Sequence, residues 1–278
     1  MAGSAPSNRP NPPEPRRLRP RRRSLHHRSI ERVDLSSLDF CISGEAPLPA
    51  GGEVGFEERT GSVVVEGYGL SEASRSSPAI RLMARSWRFH PGLPMPGTAV
   101  SLRDPEQPAH EVAEGELGEI CVRGPTIMQG YWRRPEETAN VFVDGWLRTG
   151  DIGRRDGDGY LHLVDRIKDL IIVNGYNVYP RSIEDAFYSH PVVAEVTVIG
   201  IPDSASGEVP KAFVRLRDGE TVSADDLRTH LVDRLSPLEM PRSIEFRDEL
   251  PKSMIGKLSK KELVAEERDR REQAATAE

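Results

Sequence analysis

From residue 34 onward the chain offers only short apolar runs, each closed within a few residues by glycine, proline or an Asp-Gly pair. That pattern limits it to strand-sized hydrophobic segments with a few helices between them, an α/β texture. The longest runs, around Val63 and Ile171, fall well short of the roughly 18 residues that a membrane helix needs. No integral membrane segment is expected. With 278 residues, 37% of them hydrophobic, there is room for two globular domains and their cores.

Charge marks the first boundary. Residues 1–33 hold nine Arg and two Glu, a net of +7, while the rest of the chain nets −13. The head carries six Pro among its first twenty residues and almost no large apolar side chains, so it cannot offset its ordering entropy and reads as a disordered tail over 1–32. Its Arg21–Arg23 cluster lacks interleaved aromatics and a binding fold, so a solvated tail is expected and no nucleic-acid partner. Cys41 and Cys121 lie far apart without CxxC spacing. Neither a disulfide scaffold nor a zinc site follows, and a reducing cytoplasm is the expected compartment.

Strands are expected at Leu38–Ser43 and Val63–Glu66, with Glu53–Thr60 as part of an intervening helix. From residue 98 to 165 the strands crowd together, at Ala99–Arg103, Leu117–Arg123, Trp146–Arg148 and Tyr160–Val164, broken by Asp-Gly turns at 144 and 158. This predicts an antiparallel, barrel-like subdomain. Beyond Lys168 come a hairpin, a helix opening at Pro180, strands at Glu195–Gly200 and Ala212–Leu216, and a helix capped near Ser223. That second unit is a compact α+β domain over 166–266, with a flexible tail at 267–278.

Four motifs carry candidate chemistry. GYGLSE, at 67–72, brings an aromatic ring, a hydroxyl and a carboxylate to one turn after a strand. Tyr68, Ser71 and Glu72 there suit a nucleobase above a magnesium-bound phosphate, or form an ordinary βα turn. WLRTGD, at 146–151, ends a strand in a Gly-Asp turn whose carboxylate either accepts a ribose diol or closes an Asx-turn. DRIKDLIIVNGYNVYP, at 165–180, sets Arg166, Lys168 and Asp169 before a strand, as a solvated linker or as a hinge. PKSMIGKLSKKEL, at 251–263, places Lys257 after a flexible glycine, in a chain with 32 Arg but only six Lys.

These segments, taken with DLSSLDFCISGEAPLP, GLPMPGT and GELGEICVRGPTIMQGYWRRPEET, resemble in collinear order the C-terminal half of an acyl-CoA synthetase. The family is the AMP-binding, adenylate-forming superfamily, in particular long-chain fatty-acid–CoA ligases. The resemblance runs from about residue 29 to 263. It implies an α/β (α+β) architecture: the C-terminal portion of the large adenylate-forming domain at 33–165, with a small distorted β-barrel, then a compact α+β lid. It also implies the reaction of fatty acid, ATP and CoA to acyl-CoA, AMP and pyrophosphate through an acyl-adenylate. Gly44, Glu45, Ala46 and Pro47 would border the adenine, with Tyr68 and Gly69 beside it. Ser71 would touch the α-phosphate and Glu72 would hold Mg2+. Asp151 would bind the ribose and Arg166 the nucleotide. Lys168 matches the hinge, Gly175 the CoA tunnel, and Lys257 the lysine bridging the attacking carboxylate and the α-phosphate.

The sequence also departs from that pattern. Family members are about twice this length, and the Ser/Thr/Gly-rich loop ending in Pro-Lys-Gly that cradles the β- and γ-phosphates does not occur. A truncated or split ligase is therefore expected, with a separate N-terminal half as a partner, or a non-catalytic nucleotide-binding remnant. Ser71 stands where the family usually has Thr, and Glu45 where Gly is common. Glycines 51, 52 and 55 fall where a helix should pack, each costing roughly 1 kcal/mol relative to Ala.

Overall fold

The computed structural model describes residues 34–35, 37–44, 52–73, 80–81, 92–253 and 257–277. The expected tail over 1–32 and Glu45, Ala46 and Pro47, which are expected to border an adenine, lie outside these residues. Strands β1 (Phe40–Gly44) and β2 (Val63–Tyr68) run parallel, Phe40 opposite Val63 and Gly44 opposite Gly67. Parallel neighbours need a crossover, and helix α1 (Gly52–Thr60) supplies it. The helix forms despite Gly52 and Gly55. Phe56 and Thr60 are buried beneath it, and Gly61, at φ +69°, ends it by donating its N–H to the Glu57 carbonyl. Two short strands, β3 (Ile80–Arg81) and β4 (Leu93–Pro94), extend the sheet antiparallel.

The second sheet is the expected barrel-like unit, five antiparallel strands that form a half-barrel. It comprises β5 (Ala99–Arg103), β6 (Gly118–Arg123), β7 (Phe142–Val143), β8 (Trp146–Arg155) and β9 (Leu161–Arg166), with β8 at its centre. The Asp144-Gly145 pair, both at positive φ, closes the tight hairpin between β7 and β8. Helix α2 (Pro135–Val141) leads into β7. Leu102, Ile120, Val122, Leu147 and Leu161 form the core, and Tyr68 and Leu70 pack against it. That contact brings the exit of β2 to the half-barrel.

In the third sheet the order is β11 (Tyr176–Val178), β10 (Ile171–Val173), β13 (Gly207–Leu216) and β12 (Val193–Asp203), with β14 (Ser243–Phe246) parallel to β13. Helices α3 (Pro180–Tyr188) and α4 (Ala224–Val232) contribute Ile183, Phe187, Leu227 and Leu231 to one core with Val196, Val198 and Val214. Ser223 caps α4 in a capping box with Asp226, as its sequence predicts. Helix α5 (Lys260–Ala277) occupies residues 267–277 of the stretch read as a flexible tail. Ion pairs hold it: Lys211 to Glu267 at 2.8 Å, Arg247 to Glu266 at 2.8 Å and Arg270 to Glu245 at 2.9 Å. Among the described residues no helix is long and apolar enough to cross a membrane.

Candidate nucleotide site

β8 does not end at residues 148–151, as the WLRTGD motif suggests, but runs on to Arg155. The Gly-Asp pair makes a bulge instead of a turn. Pairing with β6 jumps from Arg148 opposite Cys121 to Ile152 opposite Glu119, so three residues of β8 face one of β6. Gly150, at φ +73°, takes the backbone through a conformation that other residues rarely adopt. Side chains satisfy the displaced backbone groups. Thr149 Oγ1 donates to the Ile120 carbonyl at 2.7 Å and accepts the Asp151 N–H at 3.1 Å, while Glu119 accepts the Gly150 N–H at 3.0 Å. Glu119 is 1% exposed and is paired with Arg148 at 2.7 Å.

The bulge presents Asp151, which is buried at 6% exposure. Its Oδ2 accepts the Tyr68 hydroxyl, and its Oδ1 lies 3.3 Å from Arg166 Nε. Arg166 is the residue directly opposite Asp151 on β9, so strand register itself makes this pair. Burial pushes the Asp151 carboxyl up from its ordinary range, against the Tyr68 hydrogen bond and the charges of Arg166 and Lys168. Burial, with the Asp151 charge and hydrogen bond, pushes the Tyr68 hydroxyl well above its ordinary value, so the phenol stays a donor. The sequence-predicted Tyr68, Asp151 and Arg166 thus converge.

Gly69 lies in the connection after β2, and Ser71 and Glu72 fall in a 3-10 turn over Ser71–Ala73. The Glu72 Oε1 accepts the Tyr131 hydroxyl at 2.9 Å, and its carbonyl accepts the Met128 N–H at 2.7 Å. Tyr131 is itself fixed by Thr138, whose Oγ1 accepts its N–H at 2.9 Å. Gly44 closes β1 one strand away from Gly67. Sequence reasoning passes over Tyr131, Thr149 and Glu119, although each lies within a quoted motif. Polar side chains inside otherwise strand-like runs are the signal that could have found Thr149 and Glu119.

The expected hinge follows at once. Ile167–Asp169 form a 3-10 turn with Lys168 exposed. Just before it, Asp165 accepts the Arg166 N–H and the Arg181 N–H, both at 2.8 Å, placing a carboxylate at the start of α3, where the dipole favours it. Asn174 and Gly175, at φ +52° and +80°, form the two-residue turn between β10 and β11, with open space beside Gly175. Lys257 stands between β14 and α5. Its carbonyl accepts the Ser253 N–H at 2.7 Å, and its own N–H donates to Ser253 Oγ at 3.2 Å.

A family model described as AMP-binding enzyme matches residues 13–132, beginning inside the stretch read as a tail. A second, described as AMP-binding enzyme C-terminal domain, matches residues 182–257. The chain is 44% identical over 243 residues to a long-chain-fatty-acid–CoA ligase of Bacillus subtilis, covering 87% of this chain and 43% of that enzyme. It is 43% identical over 235 residues to a feruloyl-CoA synthase of an Amycolatopsis species, covering 83% and 47%. Among solved structures, an anthranilate CoA ligase in complex with anthranoyl-AMP superposes with a TM-score of 0.77 at 32% identity, covering 87% of this chain and 47% of that one. The chain spans less than half the length of these relatives. Two matched models in the expected order, over a fold that superposes, place this chain in the AMP-binding, adenylate-forming enzyme family.

Proposed function

We propose that these residues are the ribose-binding half-barrel and the lid of an ATP-dependent fatty-acid–CoA ligase, which joins fatty acid and CoA through an acyl-adenylate. The observation that carries the reading is the Tyr68–Asp151–Arg166 convergence on a bulge built for it, one turn from Glu72. An ionised Asp151 offers two oxygens to the two donors of a ribose diol. Gly44, Glu45, Ala46 and Pro47 border the adenine in this reading, with Tyr68 and Gly69 beside them. Arg166 faces the nucleotide and Ser71 the α-phosphate. Lys257 neutralises charge between the fatty-acid carboxylate and the α-phosphate while the first bond forms. Rotation about Lys168 then brings Gly175 toward the CoA thiol, which displaces AMP.

Glu72 suits magnesium. It is one carboxylate whose second oxygen is not used by its Tyr131 bond, and magnesium binds through one or two carboxylates plus substrate phosphates. The ion would supply charge neutralisation at the phosphates. A separate N-terminal half, supplying the phosphate loop and most of the acyl pocket, belongs to the proposal as a partner. So does a cytoplasmic location, which the two buried free thiols of Cys41 and Cys121 support.

The test is calorimetric binding of ATP and AMP to the chain, with acyl-CoA formation from palmitate, ATP, magnesium and CoA measured in parallel. The assay is repeated with a ligase N-terminal half added. Binding with turnover in either assay supports the proposal. Binding without turnover in both reduces the chain to a nucleotide-binding module, and no binding at all sinks the site.

A further inference from the structure

Lys257 is held by more than its own hydrogen bonds. The two arms around it, 251–253 and 257–259, lie against each other: the Ser259 N–H donates to the Pro251 carbonyl at 2.8 Å, and Lys252 bridges Leu258. Leu258 packs on the cluster of Ile199, Phe213, Leu250 and Leu263. In the first arm and just after the second, a lysine is pinned to a carboxylate of the lid. Lys252 Nζ lies 2.8 Å from Glu195 Oε1 on β12, and Lys260 Nζ lies 3.2 Å from Glu184 Oε1 on α3. Neither carboxylate is a loose surface partner, with side-chain exposures of 13% for Glu195 and 18% for Glu184. Glu195 also takes Arg215 Nε at 3.2 Å, and Glu184 accepts the Val198 N–H at 2.9 Å.

Partly buried ion pairs are a poor way to gain stability, because desolvation offsets most of their attraction. Burial pushes the Glu184 carboxyl up from its ordinary range, against Lys260 and the Val198 N–H. Apolar contacts would hold the arms together as well. Charged feet at fixed points do something that apolar packing does less well, which is to fix direction. The chain also favours Arg over Lys by 32 to six, yet both feet are Lys, flanking the Lys that the proposed adenylation step uses.

We infer that Glu195 and Glu184 are positioning residues that aim Lys257, through Lys252 and Lys260, for the adenylation half-reaction. The inference rests on the role of Lys257 proposed above. It separates the two half-reactions, because thioester formation, as proposed above, uses the Gly175 turn, which lies beside Ser206 and Gly207, whereas Glu195 pairs with Arg215 near the opposite end of β12 and β13.

Two measurements on the full chain, with the N-terminal half supplied where turnover needs it, test it in Glu184→Gln and Glu195→Gln. Lys261→Gln, at an exposed neighbour, is the control. The first follows tryptic cleavage after Lys257 by fragment mass, and it is expected to rise about tenfold in both variants and not in the control. The second compares acyl-adenylate formation, expected to fall about tenfold to a hundredfold, with thioester formation from supplied acyl-adenylate, expected to stay within about twofold. Equal loss of both half-reactions would mean a merely structural role and would overturn the inference, as would unchanged cleavage. If the unaltered chain makes no acyl-adenylate under any condition, the ligase reading fails. The cleavage rates then still decide whether the two carboxylates hold Lys257.

Discussion

In the lid, residues 171–277, thirteen buried side chains form one apolar cluster and four more a second, and among the described residues only Thr197, Lys211 and Glu267 are buried polar groups there. In the half-barrel, residues 99–166, the corresponding cluster has five, and Ser101, Arg103, Glu119, Asp151 and Asp165 are buried beside it. Such apolar packing suits the rotation of the lid proposed above. The half-barrel gives up apolar interior to hold a bulge and a carboxylate in place. A site that needs fixed polar geometry draws on the same interior volume that would otherwise stabilise the fold.

The sharpest break in this comparison is catalytic. Lys257→Ala should lower acyl-adenylate formation by more than about a hundredfold while sparing thioester formation from supplied adenylate. Lys168→Pro should do the reverse by blocking lid rotation. Rapid-quench assays of each half-reaction decide it, and equal losses in both variants would refute the division of labour.

Next come the cores. Phe187→Ala, at 0% exposure, should cost about 3–5 kcal/mol, and Leu147→Ala, at 1%, about 2–5 kcal/mol, both read by urea unfolding. If the lid is a separate body, Phe187→Ala moves only one of two transitions, whereas a single shared transition argues for one cooperative unit.

Acid should loosen α5 selectively. Burial works to raise the Glu245 carboxyl, but hydrogen bonds from Arg270, Lys211 and Arg247 outweigh it and hold the group at about 2. The folded value lies below the ordinary 4.5, so its contribution is complete above that pH and is lost as pH falls from about 4.5 toward 2. The expected loss is about 2 kcal/mol after discounting for solvent, and Glu245→Gln should flatten the acid limb of the stability curve.

Smaller effects probe the site and the caps. Tyr68→Phe removes the hydroxyl that orients Asp151, and calorimetry should show AMP binding weakened about fivefold. Ser223→Ala should cost about 1 kcal/mol in the lid and leave nucleotide affinity unchanged.

Element types were legible wherever local chemistry is strong. Asp144-Gly145 and Asn174-Gly175 announce their turns, Pro180 opens its helix, and Ser223 caps the next. Tyr68, Asp151 and Arg166 were legible as candidates, because motif and resemblance both single them out. Two local readings were incomplete. The Gly150-Asp151 pair looks like a turn in one dimension, and only the β6 partner, with Glu119 and Thr149 taking up the displaced backbone groups, makes it a bulge inside a longer strand. The stretch from residue 267 onward has the composition of a tail, and Lys211, on β13, and Glu245, on β14, give Glu267 and Arg270 partners far along the chain. By itself the sequence determined turns, caps and strand-sized runs, because these depend on backbone freedom and neighbours a few residues away. Tertiary structure decided which carboxylates are buried, which are paired and which face a ligand, because those partners lie tens of residues distant and meet only through strand register.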